Sequence, residues 1–188
     1  MSLQPVNGSN IDEQLNLLNV LRKLWSDQDI WIRSFIQGKD TESDDLQAVA
    51  VELLRNAEQL ANVLRQFYGD ETANSFDRLL SYHVFITFQV IDAIKKGFPR
   101  SIEQQRERWY DAADDIAQFL SEINPIWQKA VWQEMLYNHM NIIENVAVLI
   151  FTNQFQESID KYYEMQNESL RMGDIMAYGL IEQFLNPS

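Results

Sequence analysis

The chain contains only two histidines, and both sit inside apolar helical stripes. His139 is flanked at helical neighbour positions by Met135, Leu136, Ile142, Ile143 and Val146. His83 is flanked by Leu79, Leu80, Ile86, Thr87 and Val90. Gln28, among Leu24, Trp25, Trp31, Ile32 and Phe35, occupies the same place in a third copy of the pattern, so the polar position recurs at intervals of 55 and 56 residues. A second register runs beside the first. Leu54-x-x-Ala57-Glu58-x-Leu60-Ala61-x-x-Leu64 returns around Asp114 and again around Asp174, with the acids 56 and then 60 residues apart. Residues i, i+3 and i+4 share a helix face, so Gln28, His83 and His139 are expected to point inward.

An imidazole facing an apolar core needs a partner, because leaving it unpaired costs roughly 1–3 kcal/mol. The three acids are the candidates, each beside a small Ala or Gly that lets a neighbouring helix come close. Two chemistries follow. Neutral imidazole with carboxylate suits a divalent metal such as iron, manganese or zinc, bound by His83, His139, Asp114, Asp174 and Glu58. The same groups can instead form a hydrogen-bonded layer that fixes helix register, with Gln28 as a further member. The usual Glu-x-x-His signature of bundle metal sites is absent, since positions 80 and 136 are both Leu. No His-x-x-x-His pair exists either, and Gln28 is a poorer ligand than the imidazole it stands for. These points favour the structural layer.

The elements that must carry these residues are helical. Gly and Pro total only ten, aromatics are abundant, and no period-two alternation occurs. Residues 1–10 read as a polar tail, and 11–188 as one domain with enough chain to bury a core. The first helix should start near Ser9 or Asn10 and stop at Gly38. The second should be capped by Ser43 or Asp44 and end at Gly69. The third should run from Asp70–Thr72 to Lys96, before Gly97-Phe98-Pro99. Ser101-x-x-Gln104 has the form of a capping box for the fourth, which Asn124-Pro125 closes. The fifth is expected over 127–152 and the sixth over 156–184, with Asn186-Pro187 as the stop. The expectation is an all-α antiparallel bundle of about six helices built from three hairpins, either a compact six-helix bundle or a four-helix bundle with an extra helical pair.

Composition narrows the partners. A formal charge of −13 opposes nucleic acid and anionic membrane surfaces. The most apolar run, 142–151, is interrupted by Glu144 and Asn145, so no membrane span is expected. With no cysteine there is no disulfide, thiolate site or thiol nucleophile, and a cytoplasmic location is the default. No glycine-rich phosphate loop or nucleophile elbow appears, which argues against an enzyme.

Several runs carry a resemblance. Arg108-Trp109-Tyr110-Asp111-Ala112-Ala113-Asp114-Asp115-Ile116-Ala117, Ile123-Asn124-Pro125-Ile126-Trp127, Met135-Leu136-Tyr137-Asn138-His139 and Met172-Gly173-Asp174-Ile175-Met176 are similar to an uncharacterised all-helical family best known from spore-forming Gram-positive bacteria. Its members resemble ferritin-like bundle proteins of unknown function. The family usually has His where this chain has Gln28, and Thr where it has Ile32. The resemblance implies a helical bundle and no particular activity. The expectation for function is therefore a binding, structural or self-assembling bundle protein, with a homo-oligomer allowed. The alternative is a ferritin-like or haemerythrin-like metal-binding protein.

Overall fold

The structure, a computed structural model, describes residues 8–185. Its elements are α1 (Gly8–Thr41), α2 (Leu46–Lys96), α3 (Pro99–Ile123), α4 (Lys129–Phe151) and α5 (Phe155–Leu180), then one π-helical turn, Ile181–Leu185. No strand occurs among the described residues, so the all-α class is observed, with five helices where about six were expected. Of the tail assigned to 1–10, residues 8–10 already belong to α1, and the rest lies outside the described residues, as does the Asn186-Pro187 stop. No helix among the described residues is long and apolar enough to cross a membrane.

The helix boundary expected at Gly69 survives as a break inside α2, where Gly69 adopts φ +80° and ψ −177°. Only a residue without a Cβ enters that region readily. A straight helix of 51 residues would extend about 77 Å; α2 reverses instead. Leu46 lies over Gly38, Asn56 Nδ2 donates to the Leu24 carbonyl at 2.9 Å, and Val63 and Phe67 share a groove with Leu17 and Val20. Beyond the break, Phe88 packs on Phe35 with ring centres 4.4 Å apart, and Asp92 pairs with Lys39 at 2.7 Å. The arm 46–68 thus descends along α1 and the arm 70–96 climbs back. Arg65 spans the turn, donating to Asp70 and, at 3.0 Å, to Asn74.

The remaining ends follow local chemistry. Gly97, at φ 69° and ψ 27°, closes α2 with its amide on the carbonyls of Ala93 and Ile94. α3 opens at Pro99, where a ring-fixed φ and a missing N–H suit the first turn, two residues before the capping box expected at Ser101. Asn124 ends it in extended conformation, its Oδ1 accepting the Ile126 amide at 2.9 Å. Asp45, not Ser43 or Asp44, precedes α2.

Small residues set the helix spacing. A Cβ on Gly173 would meet the Arg22 Cα at 2.9 Å, so α5 lies directly against the α1 backbone. Ala57, Ala61, Ala113, Ala117 and Ala177 are all buried. α5 contacts α1 and α4 extensively, while α3 lies against α2 and α4. Trp25, Trp109, Trp127 and Trp132 are fully buried within the resulting core.

Candidate functional site

The three register positions point inward as expected: Gln28, His83 and His139 are each no more than 4% exposed. His139 centres a buried polar layer, and His83 lies near enough to interact with it electrostatically. His139 Nε2 on α4 lies 2.8 Å from Asp29 Oδ1 on α1. Ser169 Oγ on α5 lies 3.4 Å from the same nitrogen. Asn56, on the first arm of α2, is tied to α1 at Leu24. His83, on the second arm, faces Trp109 of α3 at 5.8 Å between rings.

Burial governs the electrostatics. The Asp29 carboxyl is pushed up chiefly by desolvation, against hydrogen bonds from His139 and Ser169 that pull it down. The His83 imidazole is pushed down to about 3, mainly by burial and secondarily by repulsion from His139, so it is uncharged at neutral pH. Tyr162 is raised by burial first and then by the Asp29 charge, while Arg33 stands over its ring at 5.3 Å. Seven buried polar atoms have no hydrogen-bond partner among the described residues: Asp29 Oδ2, Gln28 Oε1, Asn56 Oδ1, His83 Nδ1 and the indole nitrogens of Trp25, Trp109 and Trp132.

Asp29, His139 and Ser169 have the residue types of a hydrolytic triad and a different geometry. In a triad the carboxylate holds one imidazole nitrogen while the other faces the serine. Here both partners meet Nε2, and Asp29 and Ser169 are fully buried. The imidazole is a junction between three helices, not a proton relay between nucleophile and acid.

The structure does not assemble the five-residue set expected from the sequence. Glu58 is exposed. Asp114 accepts the Tyr137 hydroxyl and, at 2.8 Å, Gln133 Nε2, while burial and this carboxylate push the Tyr137 phenol up to about 12. Asp174 is held by Arg22 through two hydrogen bonds, one of them 2.9 Å. Among the described residues no three His, Cys, Asp or Glu are grouped to hold a metal ion. For Asp174 the physical reason lies in the neighbouring Gly173, which brings the α1 backbone so close that the carboxylate meets Arg22 at the rim of that contact.

The acid that does reach a histidine, Asp29, was legible in another way. It lies four residues after Trp25 and three before Ile32, on the stripe that buries Leu21 and Ile36. Ser169, four residues after Met165 and three before Met172, and Asn56, between Leu53 and Leu60, lie on buried stripes in the same way. None of these junction residues lines the surface grooves: one among α1, α2 and α3 contains Lys39, Asp92 and Lys96, and another runs between α4 and α5. No family model, curated protein or solved structure matches the chain.

Proposed function

We propose that this is a non-catalytic helical-bundle protein that acts through its surface, by binding a partner or assembling with itself. The observation that supports this reading is the buried Asp29–His139–Ser169 junction, in which Asp29 Oδ1 and Ser169 Oγ both meet His139 Nε2 inside the core. Such a junction fixes the relative positions of α1, α4 and α5. Removing one partner of a buried hydrogen-bonded pair leaves the other unsatisfied at a cost of about 1–3 kcal/mol, more where it is charged, whereas replacing both with apolar groups of the same shape can be nearly neutral.

The test is a stability comparison of His139→Ala, Asp29→Leu and the double variant Asp29→Leu/His139→Leu. The single variants should lose several kcal/mol, and the double variant should recover most of that loss. A second reading, a ferritin-like or haemerythrin-like protein binding iron, manganese or zinc, draws support from three buried polar atoms without a partner: Asp29 Oδ2, Gln28 Oε1 and His83 Nδ1. Elemental analysis of the purified untagged protein separates the two. Stoichiometric metal that His83→Ala or Asp29→Asn abolishes would replace the first reading with the second.

A further inference from the structure

We propose that the groove where α1, α2 and α3 meet binds a small aromatic carboxylic acid. This goes beyond the surface-binding reading and does not depend on it. Faces of three helices line the groove: Phe35 and Lys39 lie one turn apart on α1, Gln89, Asp92 and Lys96 follow one face of α2, and α3 brings Gln105. The cavity between them is about 360 Å³, a size that suits a small molecule.

The polar lining consists mostly of free donors. Arg108 Nη1 donates at 2.9 Å to both Gln89 Oε1 and Gln105 Oε1. That fixes the two amides, and their Nε2 groups have no hydrogen-bond partner among the described residues. The one carboxylate in the lining, Asp92, is already engaged, accepting Lys39 at 2.7 Å on one oxygen and Lys96 at 2.5 Å on the other. Burial pushes this carboxyl up, but hydrogen bonds from the two ammonium groups outweigh it and hold it below the ordinary range, so it is ionised at neutral pH. Two lysines against one aspartate leave the lining at a formal charge of +1, in a chain of −13. Each ammonium keeps N–H donors beyond the one given to Asp92. A single carboxylate matches both the charge and the donors, whereas a phosphate dianion would exceed the charge and a metal cation would be repelled. The apolar wall specifies the rest of the molecule. Phe88 packs on Phe35 with ring centres 4.4 Å apart and stays only half-buried beside the cavity. An aromatic ring on the ligand extends that pair, while a bare inorganic anion leaves Phe88 to water.

The probe is cinnamate, titrated into the full chain by isothermal calorimetry and compared with uncharged cinnamamide and with inorganic phosphate. Cinnamate should bind at one site with a Kd of about 1 mM or below, and the amide about tenfold more weakly. Phosphate at equal concentration should not displace it. Lys39→Met and Lys96→Met should each weaken binding about fivefold. Asp92→Asn, which releases both ammonium groups, should strengthen it, and Lys161→Met in the α4–α5 groove should leave it unchanged. The Lys96 side chain is 59% exposed, so its variant leaves the core intact, and circular dichroism establishes that all four variants fold. Absence of saturable binding, equal binding of acid and amide, displacement by equimolar phosphate, or undiminished binding to Lys96→Met would overturn the proposal. So would weaker binding to folded Asp92→Asn, or a loss in Lys161→Met, which would move the ligand to the other groove.

Discussion

Replacing His83 by leucine should flatten the acid side of the protein's stability curve. Burial holds the folded-state pKa of this imidazole near 3, against 6.5 for the ordinary side chain. The sign follows from the depressed value. Above about pH 6.5 both folded and unfolded His83 are neutral and contribute no pH dependence. As pH falls below that, the unfolded chain takes up a proton that the folded chain refuses, so stability is lost down to about pH 3. Linkage puts the loss at about 2 kcal/mol at pH 5 and about 3 kcal/mol at pH 4. Asp29, with its raised carboxyl, works in the opposite direction on acidification, but it is present in both proteins and largely cancels in the comparison. Leucine is close in size and removes the unpartnered Nδ1, so the variant should match or exceed the parent at pH 7. Urea titrations followed by helical ellipticity at pH 7, 5 and 4 give the difference directly. A gap between parent and variant that stays constant across these pH values would refute the argument and mean that His83 is solvated in the folded state.

Gly179→Ala should destabilise the fold by about 2–4 kcal/mol in the same denaturation assay. A Cβ there would lie 1.9 Å from the Trp127 indole nitrogen, which donates to the Ile175 carbonyl at 3.1 Å, so both the packing and the hydrogen bond must yield. Gly69→Ala should cost about 1–2 kcal/mol through backbone strain alone, since nothing lies within 4 Å of the added methyl. An unchanged midpoint for Gly69→Ala would show that the reversal of α2 does not depend on the positive φ.

The helical class and the inward direction of Gln28, His83 and His139 were readable because apolar neighbours at three- and four-residue spacing determine which face is buried. The turn at Gly69 was readable for the same local reason, although helical structure on both sides joins into one element around it. Partner identity was not readable from the recurring register. Register reports which residues occupy equivalent positions on their own helices, and says nothing of how far apart those helices sit. Asp174 illustrates this: the glycine beside it brings α1 so near that the carboxylate meets Arg22 at the edge of the contact, not a histidine within it. Asp29 was hidden by its neighbour Gln28, which fitted the repeat and drew the reading, although both residues are buried.

The link between Asp29 and His139 also has a consequence in time. Its two residues are 110 positions apart, and a ribosome adding roughly 5–20 residues per second makes the second about 5–20 s after the first. Throughout that interval α1 has its early neighbour, the first arm of α2, but Asp29 has neither the imidazole nor the Ser169 hydroxyl that compensates its burial. Water must therefore keep access to the carboxylate until α4 and α5 have emerged. The newborn chain can prepare its first hairpin early, yet the interior around Asp29 closes only when α4 and α5 settle against α1.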